Sequence, residues 1–374
     1  MDSYRLDSRI VDNEKEYLIQ TVNDVRQGVI KTSFFVNGEL MDASVMPHSE
    51  EMSENEILNL VKTTHGDKKS ELEYLLKSYR NILEEGRPEM MFHLGSALFY
   101  RRMYPEARQL FQSAVKIRHD YHEAYYFLSQ TELMANHIDA AVKAGLKAVE
   151  IRPQFADYRN ILGEAFMAAG SCRRAVIEFE DAIKLNIYYA DAYFNLALAY
   201  TLNAVTKEDF NLYTDLTTKT MDLLNKAVLI NPDYKTSTFD EAVAALTNGE
   251  LKRAFALFKG VRDEKKEKQR QGKAAHFHRF LMYTEWLSQS NIDDRIKQLQ
   301  NEIDRNPSYV DLYYELGACY LHQAKFAWQK SIEQFKKALE INPSLAKAKR
   351  SLELSEENYL KLTDAIFDIT EKYV

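Results

Sequence analysis

Apolar and polar positions along this chain repeat on two scales. On the short scale, Ala107, Phe111 and Ala114 lie four and three residues apart, the spacing that places side chains on one face of a helix. On the long scale, Leu94, Leu128, Leu162 and Leu196 recur every 34 residues. Ala107, Ala141 and Ala175 share that interval, and so do Ala114, Ala148 and Ala182. Three columns with one interval predict a stack of similar helix pairs, because a single pair cannot bury its apolar face and a neighbour must cover it. With only 12 glycines and 7 prolines in 374 residues, long helices joined by short turns are expected.

A unit with Leu-Gly in its first helix, a small residue opening the second, then an aromatic, an alanine and a closing proline resembles the tetratricopeptide repeat. Residues 88–121 carry Leu94-Gly95, Ala107, Phe111 and Ala114. Residues 122–155 carry Leu128-Ser129, Ala141, Ala148 and Pro153, and residues 156–189 carry Leu162-Gly163, Ala175, Phe179 and Ala182. The unit at 190–234 has Leu196-Ala197, Ala227 and Pro232, with its extra length in 203–219, which reads as a longer second helix opened by Thr206, with a functional arm as the alternative. Weaker units follow at 235–267, with Gly249, Ala254 and Phe258, and at 276–309, with Trp286, Ile292 and Pro307. The last, 310–344, has Leu316-Gly317, Tyr320, Phe335, Ala338 and Pro343. The resemblance implies an all-α solenoid of about seven helix pairs over residues 87–344, closed by a capping helix over 345–374 with Leu345, Ala348, Leu352 and Tyr359.

The first 86 residues lack the interval and predict a small α+β element. Residues 1–13 read as a tail. Within 14–86, three strands are expected at 17–23, 29–36 and 39–46, the last two joined by the Asn37-Gly38 hairpin signal. Two helices follow, one opened by a Ser53/Glu56 capping box and one marked by Leu72, Leu75, Leu76, Tyr79 and Leu83 and ending near Gly86. Such a sheet has two open edges, which suit self-association, whereas its helices suit a cap on the first repeat.

Charge narrows the partner. A net charge of −7 argues against nucleic acid, whose phosphates need a surplus of Lys and Arg. No stretch is long and apolar enough to span a membrane, and the acidic start predicts no export, so a cytoplasmic protein is expected. Cys172 and Cys319 fall four repeats apart, too far for a disulfide. The run 262–273, with six basic and three acidic residues and no aromatic, reads as a solvated helix end.

No phosphate loop, CxxC pair, HExxH or GxSxG motif is present, so neither an enzyme nor a cofactor is expected. His276 and His278, two apart on a helix, point to different sides, and His119 and His122 fall in a turn, so neither pair suits a metal. The resemblance implies that positions 2 and 5 of each first helix line a concave groove. Position 5 holds Phe92, Tyr126, Asn160, Phe194, Phe239, Phe280 and Tyr314, and position 2 holds Glu89, Glu123, Asp157, Asp191 and Asp311. An aromatic row with an acidic rim suits an apolar, basic protein segment, although first-turn acids also answer the helix dipole and inner aromatics also pack on the next repeat. The carboxylate-gripping groove of the family needs Lys, Asn and Arg where this chain has Phe92, Ser96, Tyr126 and Gln130. The expected function is a non-enzymatic adaptor, with a self-assembling scaffold as the alternative and a small enzyme in residues 14–86 behind both.

Overall fold

A computed structural model describes residues 4–12, 14–49, 52–209, 216–269, 280–281, 287–305 and 310–371. The chain divides into two compact units, Met1–His276 and Phe277–Val374.

The first unit begins with an antiparallel sheet of four strands in the order β1 (Arg5–Asp12), β2 (Lys15–Asp24), β3 (Val29–Val36) and β4 (Glu39–Pro47). The fourth strand, β1, comes from the stretch expected to be a tail. Its alternation of Arg5, Asp7 and Arg9 with Leu6, Ser8 and Ile10 is strand-like, but the charges on its open face mask the apolar face. Asn37 and Gly38 both take positive φ, 50° and 81°, as a type I′ hairpin requires. A single helix, α1 (Glu54–Glu85), stands where two were expected. Its buried positions Val61, His65, Leu72, Leu75, Leu76 and Tyr79 keep one face across Gly66, so packing carries the helix through the weak point. Ser53 and Glu56 form the capping box at its start. His65 bridges helix to sheet, bonding Ser8 Oγ at 2.8 Å and Thr21 Oγ1 at 3.1 Å.

Five antiparallel helix pairs follow in the same unit. They are α2 (Pro88–Tyr100) with α3 (Tyr104–Ile117), α4 (His122–Met134) with α5 (Ile138–Ile151), and α6 (Ala156–Ala168) with α7 (Cys172–Leu185). Then come α8 (Ala190–Thr206) with α9 (Leu216–Ile230), and α10 (Ser237–Thr247) with α11 (Leu251–Gln269). The turn inside a pair is repeated too. Arg102, Asn136, Gly170 and Gly249 take positive φ of 60°, 58°, 75° and 77°, and the next amide reaches back five residues, as in Met103 N to Leu98 O at 3.0 Å and His137 N to Glu132 O at 2.8 Å. All six column alanines are fully buried. Gly95 and Gly163 allow the closest approach: a Cβ there would lie 2.8 Å from the Phe111 ring and 2.5 Å from the Phe179 ring. The first repeat joins the sheet through Glu106 of α3, which pairs with Lys15 and accepts the Tyr17 hydroxyl at 3.3 Å.

The second unit contains α12 (Gln289–Arg305), α13 (Val310–Ile341) and α14 (Ala346–Glu371). Ile292, Ile296, Leu299 and Cys319 form its core, and buried Arg295 bonds Glu315 at 2.6 Å. Residues 310–341, which the sequence divides into a helix pair, run as one helix. The stretch Leu321–Gln329 holds neither glycine nor proline and no residue of positive φ, so nothing there ends a helix. Among the described residues nothing packs within 4 Å of where a Cβ on Gly317 would sit, so none of them makes a close crossing there. Trp286 and Pro307 lie outside the described residues.

Candidate functional site: the inner face of the repeats

Each first helix of a pair sets its residues 2, 5 and 9 on one face, three or four apart. The structure distributes the expected aromatic row unevenly. Phe92 packs on Tyr121 and Phe127 with ring centroids 5.2 and 5.6 Å away, and Phe194 stacks on Tyr234 at 4.3 Å. Phe92, Phe194, Phe239 and Phe280 are all buried, so these four are core residues and not an accessible lining. Tyr121 covers Phe92 and Tyr234 covers Phe194, while Phe239 packs on Phe258 at 5.9 Å. Asn160 is buried as well. Tyr126 is half-buried, stacked on Tyr158 at 5.0 Å, and in the second unit Tyr314 is exposed.

The acids differ just as much. Glu89 accepts from Arg118 at 3.4 Å on the surface. Glu123 lies 3.2 Å from His122 Nδ1, and burial raises its carboxyl above the ordinary value. Burial raises the Asp157 carboxyl too, and among the described residues no cation pairs with it. Asp191 is fully engaged: it accepts the Tyr234 hydroxyl at 2.7 Å and pairs with Lys265. The side chain of Asp311 lies outside those described.

Sequence reasoning missed the centre of this face. Glu164, at position 9 of α6, is buried and accepts from the Asn160 amide at 3.2 Å and the Asn195 amide at 3.1 Å. Asn195 also donates to Asn160 Oδ1 at 3.0 Å, while its own Oδ1 has no hydrogen-bond partner among the described residues. Burial alone would raise the Glu164 carboxyl, but the ammonium of Lys266 and the guanidinium of Arg262 bring it below the ordinary value. Both basic groups belong to α11. The run expected as a solvated helix end is therefore partly committed to contacts with α6 and α8: Lys265 is 6% exposed, its ammonium lying 4.3 Å from the Tyr234 ring centre and paired with Asp191. Residues 270–273 of that run lie outside the described residues. A sequence signal did exist, since Ala254, Phe258, Val261 and Lys265 continue one stripe at spacings of four, three and four.

A second concavity, of about 120 Å³, lies between the sheet, α1 and the first repeat, walled by Ile19, Phe34, Leu72 and Leu75. Glu71 pairs there with Lys68 at 3.0 Å and with Arg101, whose guanidinium is pushed down to about 10 by burial. The Glu71–Arg101 pair ties α1 to the end of α2.

Residues 92–154 match the family model of the tetratricopeptide repeat, over the two pairs with the repeated columns and turns described above. Over residues 92–154, then, the chain carries tetratricopeptide repeats. Among solved structures, it resembles the crystal structure of MamA at 23% identity, covering 46% of this chain and 96% of that one with a TM-score of 0.35. It also resembles TTC0263, a thermophilic TPR protein of Thermus thermophilus, at 19% identity over 63% of this chain and 100% of that one, with a TM-score of 0.35. YrrB, a TPR protein with an unusual peptide-binding site, matches at 12% identity over 52% of this chain and 95% of that one, with a TM-score of 0.36. No curated protein matches the sequence.

Other chemistry is thinly represented in this repeat protein. Among the described residues no three His, Cys, Asp or Glu side chains gather as metal ligands, and no helix is long and apolar enough to cross a membrane. His119 bonds the Val115 carbonyl at 3.1 Å and His122 the Tyr158 hydroxyl at 2.7 Å, so both are explained by packing. His276 and His278 lie outside the described residues. Cys172 and Cys319 are buried free thiols.

Proposed function

We propose that this tetratricopeptide-repeat protein is a non-enzymatic cytoplasmic adaptor that holds a basic, partly apolar segment of another protein on the inner face of its repeats. One observation carries the reading. Asp157 is a partly desolvated carboxylate with no cation beside it among the described residues, while the neighbouring carboxylates Glu164 and Asp191 each hold a lysine. The backbone N–H groups of Asp157 and Tyr158 offset part of its desolvation, and a lysine or arginine brought in by a ligand offsets the remainder. Half-buried Tyr126, stacked on Tyr158 beside it, offers ring surface for the stem of such a residue. No cofactor is needed, and two free buried thiols fit a reducing compartment.

The test is fluorescence anisotropy with a labelled helical peptide bearing lysines and leucines, against the same peptide with glutamates replacing the lysines. The basic peptide binds and the acidic one does not; Tyr126→Ala and Asp157→Asn each weaken binding while the helical circular-dichroism spectrum of the folded protein is kept. Equal binding of both peptides, or binding indifferent to both substitutions, sinks the reading. The alternative, self-assembly through the N-terminal element, draws on the sheet edges β1 and β4, where Val11, Leu40 and Val45 are exposed. Light scattering separates the two, since self-assembly requires a mass that rises with concentration.

A further inference from the structure

The second helices α3, α5 and α7 each have 14 residues, whereas α11 has 19. Its apolar packing ends at Val261, and the surplus turn continues along the inner face. Three successive residues there touch three different repeats. Lys265 pairs with Asp191 of the fourth, Lys266 with Glu164 of the third, and Glu267 with Arg102 of the first at 2.8 Å. The attachment is ionic and mixed in exposure: the Lys266, Glu267 and Arg102 side chains are 43%, 49% and 36% exposed, whereas Lys265 is 6% and Glu164 8% exposed. The exposed contacts among them are weak singly and exchange readily, and the buried Lys265 pair is held only as long as its carboxylate has no other cation to take. They also leave the site incompletely satisfied, since among the described residues Asn195 Oδ1 remains unpartnered and Asp157 has no cation.

We infer that the end of α11 is an internal ligand of the inner face, and that a partner helix presenting two successive lysines binds by displacing it. The inference rests on the groove reading above. Residues 262–269 show what the face accepts: one ammonium buried against Tyr234 and Asp191, a second reaching Glu164 and its paired asparagines. A competing helix gains by adding a contact to Asp157 that the internal one does not make. The displaced turn uncovers no apolar core, because no core residue of α11 lies beyond Val261, and the incoming lysines replace the cations that Asp191 and Glu164 lose. Occupancy by the chain's own segment lowers the apparent affinity of any partner by the fraction of molecules in which the face is open.

The probe is a fluorescein-labelled, alanine-rich helical peptide carrying one Lys-Lys pair, titrated into the full chain and into a Lys265→Gln/Lys266→Gln double variant. The variant is expected to bind about tenfold more tightly. In the unmutated protein, hydrogen exchange at residues 262–269 is expected to accelerate once the peptide saturates the face, an arm that does not depend on how the variant folds. Equal affinity of two folded proteins, or unchanged protection at 262–269 in the saturated complex, overturns the inference and leaves the groove reading standing. A peptide that binds neither protein overturns both.

Discussion

The first three helix pairs and the fifth use the same plan to opposite ends. In α2 to α7, second helices stop after 14 residues, αL turns recur every 34, and the inner face of α4 and α6 keeps a half-buried Tyr126 and an Asp157 with no cation beside it among the described residues. In α10 and α11, the turn at Gly249 is the same, but the second helix runs on and places its lysines on the face its neighbours leave open. What separates the two regions is therefore one additional turn of helix and the charge it carries, and not a different packing rule.

The comparison can be broken most severely at the close crossing. Phe179→Ala removes the ring that Gly163 admits, and urea unfolding should show a loss of about 3–5 kcal/mol; a loss below about 1 kcal/mol would mean the repeats are held elsewhere. Lys265→Ala, by contrast, leaves Asp191 with the Tyr234 hydroxyl alone and should cost about 1–3 kcal/mol. Lys268 is exposed and, among the described residues, pairs with Glu264 on its own helix alone, so Lys268→Ala should leave unfolding unchanged.

The glycines sharpen the same contrast. Gly163→Ala drives a Cβ into the Phe179 ring and should lose about 1–2 kcal/mol net, since overpacking outweighs the gain in helix propensity. Gly317→Ala meets open space in a helix and should gain up to about 1 kcal/mol by thermal or urea melting. Equal effects at the two sites would show that Gly317 sits in a close crossing after all.

Acid should separate Glu164 from Asp157 by sign. The Glu164 carboxyl stands below its ordinary value because of Lys266 and Arg262, so its stabilising contribution is complete above that ordinary value and is lost as pH falls through the lowered one. The Asp157 carboxyl is raised by burial, so its ionisation opposes folding near neutrality, and the opposition disappears as pH falls through the raised value. In urea titrations, Glu164→Gln should be less stable than the unmutated chain at neutral pH and Asp157→Asn more stable. Both differences should shrink on acidification; a shared sign at neutral pH would remove the distinction between filled and open carboxylates.

Much of the architecture was legible because it is local and repeated. The Leu, Ala and Gly columns report contacts between adjacent helices, and each repeat states them again, so chance agreement is small. The hairpin at Asn37-Gly38 and the capping box at Ser53 are equally local, being decided within four residues. The errors fall where locality fails. The strand β1 needed β2 to reveal it, α1 needed the sheet to carry it past Gly66, and α13 continued because no turn-forming residue intervened. Among site residues, position 5 was read as a lining, yet the inter-repeat Tyr121 and Tyr234 bury Phe92 and Phe194.

By itself, then, the order of residues determined a tetratricopeptide stack, its turns, and an acidic face. Only the tertiary structure decided which carboxylates on that face are filled and which are open. Lys265 and Asp191 are 74 positions apart, and Lys266 and Glu164 are 102 apart. A lysine's environment is set by whatever the fold brings opposite it, and over such separations no spacing rule along the chain can say what that is.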